Sequence, residues 1–275
     1  MKSDITFGQY VEGNSLIHRL DPRMKIVLSI LYIVTIFLAK SVTAFALLTL
    51  SAFLLIALTG LSPAMILRGM RPLLFIIVFT AVFNIFWMTG DTLLISLGPI
   101  KIYLEGIINA VLIILRIVLL IVATSVFLTY TTTPLALTDG LEQLLAPLKK
   151  LHVPVHEFSM MMTIALRFIP TLIDETQKIM NAQKARGADF STGNLLQRAK
   201  ALIPILIPLF ISAFRRADEL ATAMECRCYT GGEGRTRMNV LRSTPKDWAA
   251  AFVVLVLGAA IVLANLYFPL YGLTL

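Results

Sequence analysis

The sequence predicts an all-α, polytopic membrane protein with about five transmembrane helices and a cytoplasmic domain of long, proline-kinked helices. Three observations predict it. The 275 residues are 57% hydrophobic and 15% charged, with a mean hydropathy of +0.83, whereas a soluble domain is nearer half apolar and a quarter charged. The apolar residues gather in blocks close to the ~20 residues needed to cross a bilayer core. The cations collect between those blocks and on alternate sides of them.

Taken in order, spans are expected near residues 24–40, 42–60, 72–90, 105–130 and 248–270. The first twenty residues are polar, with Lys2, Asp4, Gln9 and Glu12, and do not read as a cleavable signal peptide. Lys2, Arg19, Arg23 and Lys25 precede the first span, and Arg68 and Arg71 follow the second. The loop after the third span holds Lys101 beside Asp91, and fifteen cations lie between Lys149 and Lys246. A cytoplasmic N-terminus and five spans put every cation-rich stretch inside, with the C-terminus beyond Tyr267 and Tyr271 outside. Three regions result: 1–130 with four spans, 131–247 as a cytoplasmic domain, and 248–275 as the last span and tail.

The formal charge of +8 follows from the positive-inside bias and the anionic inner leaflet. Asp174, Glu175, Asp218, Glu219 and Glu225 interrupt the cations, unlike the continuous basic face of a nucleic-acid groove.

The cytoplasmic region opens on Thr131-Thr132-Thr133-Pro134, a cap followed by a first-turn proline. A short amphipathic helix is expected from Leu135 to Leu151, with Leu137, Leu141, Leu144, Leu145 and Leu148 on one face and Lys149 and Lys150 at its dipole-negative end. Val153-Pro154 opens a second helix, from Val155 to Arg186, roughly 45 Å long. Its first half is apolar and methionine-rich, Pro170 should kink it, and Gly187 should end it. Asn194 caps a third, from Leu195 to Cys228, in which Leu202 to Phe214 is apolar but too short to span and contains Pro204 and Pro208. Superposing Ala185-Arg186-Gly187 on Cys226-Arg227-Cys228 gives one layout twice: an apolar, proline-broken start, a polar middle, and an arginine between small residues. Amphipathic helices on a membrane surface keep one apolar stripe throughout. These two change character along their length, as levers would, and paired ends suit a two-fold partner that supplies work.

No chemistry of the chain's own is legible. Gly231-Gly232-Glu233-Gly234 lacks the lysine of a phosphate-binding loop. His152 and His156 are separated by Pro154, and Cys226 and Cys228 have no second pair, so no metal is expected. No span holds a nucleophile with a basic partner. Arg116, inside the fourth apolar block, must face protein or a cavity. It either seats a partner or ties its span to a neighbour.

The stretch Phe7-Gly8-Gln9-Tyr10, then Ser15 through Lys25, and the two arginine motifs together resemble the CbiQ/EcfT family. These are the transmembrane coupling subunits of energy-coupling factor transporters, and the likeness is to Firmicute group II members. The resemblance covers essentially the whole chain, although cysteines replace both flanks of the second arginine. It implies two ABC-type ATPases, non-identical in view of the unequal motifs, and a vitamin-binding S component in the membrane. Ala185, Arg186, Gly187, Cys226, Arg227 and Cys228 would engage the ATPases. Met161, Met162, Phe168, Leu202, Leu206 and Phe210 would seat the S component. ATP and magnesium would belong to the ATPases, and this chain would hold no cofactor. The shared-module type is the nearer match, with a dedicated cobalt or nickel importer as the alternative. An intramembrane enzyme and a self-contained secondary transporter are the other classes, and the latter would need a midplane site.

Overall fold

A computed structural model of the chain describes residues 10–87, 92–97, 100–188, 190, 194–232 and 240–267. The quoted Phe7-Gly8-Gln9, Lys2, Asp4, Asp91, Arg235, Arg237 and the C-terminal tail from 268 lie outside the described residues. Nearly every described element is helical, and the chain forms two compact units: residues 1–144 with 240–275, and residues 145–239.

In the first unit, α1 (Pro22–Leu38) starts where the Asp21 carboxylate accepts from the Arg23 backbone N–H at 2.9 Å, with proline in the first turn. α2 (Val42–Thr59) starts on Ser41, whose hydroxyl accepts from Ala44 N–H, and stops at Gly60, whose φ of +68° suits a residue without a side chain. α3 (Pro63–Met70) and α4 (Leu74–Trp87) are joined by a 3₁₀ turn at Arg71–Leu73, where Pro72 cannot continue the hydrogen-bond ladder. α5 (Leu104–Thr124) runs on into a π-turn at Ser125–Tyr130. α6 (Pro134–Leu144) and α9 (Pro245–Tyr267) complete the unit. α1 packs against α5, α6 and α9, and Leu28, Tyr32, Phe45, Leu48, Phe127 and Ile261 are nearly or fully enclosed there. On α4, Phe75, Phe79, Phe83 and Trp87 stack one turn apart with ring centres 5.0–6.3 Å apart, all on an exposed face.

Three details differ from expectation. The loop before α5 contains an antiparallel hairpin, β1 (Leu93–Leu97) with β2 (Ile100–Tyr103), paired Leu93↔Tyr103 and Leu97↔Ile100. It is a minor addition to an all-α chain. The amphipathic helix expected to reach Leu151 ends as α6 at Leu144, and Ala146–Leu151 is a 3₁₀ turn. Pro147 has no N–H to give the Gln143 carbonyl, so the α ladder cannot pass it.

The third difference concerns the spans. Among the described residues, five stretches are long and apolar enough to cross a membrane: Val42–Thr59, Pro63–Trp87, Leu104–Tyr130, Leu196–Cys226 and Pro245–Tyr267. α1 is only 17 residues long, with Arg23 and Lys25 in its first turn. The stretch judged too short, Leu202 to Phe214, belongs to a helix that continues through both of its prolines. Arg198 and Lys200 are the only charged residues from 196 to 214, and Gln197 and Ser212 the only other polar ones.

The start of α1 is locked to the start of α9 by buried polar contacts. Asp247 is fully buried; one oxygen accepts from the Asp21 N–H at 2.9 Å and the other from the Thr244 N–H and hydroxyl at 2.5 and 2.8 Å. The carboxylate thus reaches back to the N-cap residue of α9, as the acid of a capping box does, and caps the turn before α1. Arg23 donates to the Leu241 carbonyl at 2.8 Å, and Lys25, 2% exposed, donates to the carbonyls of Thr131 and His18 at 2.7 and 3.1 Å. The quoted Asp21-Pro22-Arg23-Met24-Lys25 motif is therefore a structural lock.

In the second unit, α7 (Val155–Ala185) and α8 (Leu195–Cys226) pack on each other. Glu175 of α7 meets Ser212 and Arg216 of α8, whereas Gln183, farther along α7, meets Pro204, farther back on α8. The two helices therefore cross antiparallel.

Candidate functional site

The two arginine motifs end their helices with the same hydrogen bonds. At the end of α7, Gly187 N–H donates to the Lys184 carbonyl and Ala188 N–H to the Gln183 carbonyl, both at 3.0 Å. At the end of α8, Cys228 N–H donates to the Glu225 carbonyl at 2.8 Å and Tyr229 N–H to the Met224 carbonyl at 3.0 Å. Each is a Schellman closure, in which the residue after the cap turns left-handed so that the last carbonyls find donors. Gly187 has φ +88° and Cys228 φ +54°. Arg186 and Arg227 hold the same cap position, and all six residues of the two motifs are exposed. A helix C-terminus favours a cation, so each arginine is held out, charged and solvated, at a place where a partner can reach it.

Between the ends lies the crossing. Arg216 donates to one Glu175 oxygen at 2.6 Å and the Ser212 hydroxyl to the other at 2.5 Å. Ser212 and Arg216 are one helical turn apart, so both face α7. Glu175 lies eleven residues before Arg186 and Arg216 eleven residues before Arg227. The crossing pair therefore joins equivalent positions of the two helices, and each arginine stands about 16 Å along its own helix from that point. Because the helices run antiparallel, the two arginines lie at opposite ends of the pair. Beside the crossing, Ile164, Phe168 and Leu172 of α7 face Ala213, Ala217 and Ala221 of α8 across a groove of about 270 Å³.

The prolines supply one further contact. Pro208 has no N–H for the Pro204 carbonyl, and that carbonyl instead takes the Gln183 amide at 3.5 Å. Met161, Met162, Leu202, Leu206 and Phe210 are all exposed, Phe210 to 63%, while Phe168 is half-buried in the groove. Exposed apolar surface on this scale marks contact with lipid or protein. The apolar stretch of α8 is the least covered of the five long helices, with 6% of it buried.

Arg116 lies elsewhere, in the first unit. It donates to the Ala39 carbonyl at 2.8 Å, where α1 ends, and its guanidinium lies 5.4 Å from the centre of the Phe45 ring. Of its two readings, the structure supports the tie between spans: Arg116 joins α5 to α1 and α2. His152 and His156 do not share a helix; one closes the 3₁₀ turn at φ +61° and the other lies in the first turn of α7. The sequence reading missed the Glu175–Ser212–Arg216 contact, although the equal offsets from the two arginines signalled it.

Comparison with known proteins bears on the same residues. The model of the CbiQ family, described as cobalt transport protein, matches residues 13–238. The energy-coupling factor transporter transmembrane protein EcfT of Ruminiclostridium cellulolyticum is 55% identical over 262 residues, 95% of each chain. The protein of that name from Thermosediminibacter oceani is 53% identical over 90% of this chain and 92% of its own length, and that from Bacillus subtilis 47% over 94% and 97%.

Proposed function

Because the chain belongs to the CbiQ/EcfT family, it is a transmembrane component of an energy-coupling factor transporter, and we propose that its task is coupling. Two ABC-type ATPase subunits, non-identical, bind beneath the membrane, where Arg186 and Arg227 each enter a groove on one of them. A guanidinium there makes short, charge-assisted hydrogen bonds to carboxylates. ATP-driven approach of the ATPases moves the two helix ends. The apolar halves of α7 and α8, around Met161, Met162, Phe168, Leu202, Leu206 and Phe210, carry that movement to a membrane-embedded S component, which reorients and delivers its vitamin. Flexible methionines suit a seat that accepts several partners. The N-terminus lies in the cytoplasm, and the chain itself binds no nucleotide or metal.

One observation carries this reading: two arginines at the same cap position of two Schellman-closed helices, both exposed and joined by a contact between equivalent residues. The relatives named above bear the energy-coupling factor name, which favours the shared-module type over a dedicated cobalt or nickel importer. The test is affinity purification of the chain from its native membrane with and without Arg186→Glu and Arg227→Glu together. Two ATPases should accompany the wild-type chain and leave the double variant; unchanged assembly sinks the coupling role.

A further inference from the structure

The crossing of α7 and α8 combines three features that helix packing alone does not require. The contact is a charge pair beside an apolar groove, with each Glu175 oxygen taking one donor. It joins positions equally distant from the two exposed arginines. The groove beside it is lined on α8 by alanines at every fourth position and holds about 270 Å³ of unfilled space.

We propose that Glu175 and Arg216, with Ser212, form the fulcrum of the two levers and act as positioning residues for coupling, a reading that rests on the proposed function above. The charges at the two equivalent positions are opposite. Each lever therefore satisfies the other and would repel a copy of itself, so the pair specifies its own register and partner. A charge pair 22% and 33% exposed holds direction better than an apolar patch, because hydrogen-bond geometry is steep in angle. The alanine-lined groove leaves side chains on that flank free to shift while the clamp keeps the crossing point. A displacement at one arginine is thereby returned as rotation about a fixed point and reaches the other half of each helix.

The experiment uses the full complex with its ATPases in liposomes. Spin labels on Asn181→Cys and Thr222→Cys, exposed positions one turn before the two motifs, in a chain with Cys226→Ser and Cys228→Ser that is first checked to retain its ATPases, report the distance between lever ends without nucleotide and after vanadate trapping with ATP. The clamped pair should give a narrow distance that shifts on trapping. E175R sets two cations at the crossing and R216E two carboxylates, and each should widen the distribution about twofold and erase the shift while the ATPases stay bound. The swap E175R/R216E rebuilds the pair in reverse and should restore both width and shift. A217L, which fills the groove without touching the clamp, should narrow the distribution and cut the shift by about half. A single variant that shifts as the unmodified pair does, or a swap as defective as the singles, overturns the fulcrum. Loss of ATPases from the single variants overturns it as well, by making the pair an assembly element. Should Arg186→Glu with Arg227→Glu leave assembly intact, the coupling reading itself fails, whatever the clamp variants show.

Discussion

The ends of α7 and α8 close on the same pair of backbone hydrogen bonds, yet one left-handed position is filled by Gly187 and the other by Cys228. The difference separates what the motif requires of the backbone from what it requires of the side chains. A glycine takes φ +88° without cost, whereas a residue with a Cβ loses about 1–2 kcal/mol there. The second end is therefore built to the same geometry with less stability in hand. What the two share is the arginine at the cap position. Flanks can vary as long as the turn closes and leaves that guanidinium in the open.

Breaking both ends gives the largest expected effect. Arg186→Glu with Arg227→Glu replaces two cations by two anions, and the complex should lose its ATPases and its uptake altogether, as measured by co-purification and transport in cells. Breaking one end at a time sharpens the comparison: each single variant should weaken ATPase binding by about 2–5 kcal/mol. A clear inequality between them, read by titrating the purified ATPases, would show that the two grooves differ. Exchanging the flanks comes next. Gly187→Cys should destabilise the end of α7 by about 1 kcal/mol, seen as faster amide exchange at Gly187 and Ala188. Cys228→Gly should slow exchange at Tyr229 by a comparable factor and leave transport within about twofold. The smallest change uses the native thiols. Cys226 and Cys228 are exposed and should react with maleimide in the isolated chain, and bound ATPases should slow that reaction. Equal labelling with and without ATPases would place the second end outside the interface.

Much of this architecture could be read in the chain because its signals are local. Pro154 and Gly187 bracket α7 and Asn194 precedes α8; both ends of α7 and the start of α8 fall within a residue of expectation, while α8 stops at Cys226, two residues before the expected Cys228. What escaped reading has no local signature. Arg116 finds its acceptor in a main-chain carbonyl, that of Ala39, and every residue type has one. Glu175 and Arg216 lie 41 positions apart in the polar stretches of two different helices, and only the antiparallel crossing brings them together. The hairpin before α5 did carry a signal, Gly98-Pro99 between two short apolar runs that include Ile95, Ile100 and Ile102, but the neighbouring apolar blocks drew it into a loop between spans. Leu202 to Phe214 by itself is too short to span, but the helix that contains it is long and apolar enough to cross a membrane, because residues on both sides extend it.

The buried carboxylate of Asp247 has a consequence for how the molecule is made. Its contact with Asp21 joins residues 226 positions apart, so the turn before the first helix waits for the last one. At about 5–20 residues per second, the ribosome needs roughly ten to forty-five seconds to supply the missing partner. During that time the Asp21 amide lacks the carboxylate that it meets in the folded chain. A chain cut short before Thr244 would carry every residue of both levers and still lack the piece that closes its opening turn. Thr244 and Asp247 thus close the opening turn only once they have themselves been made.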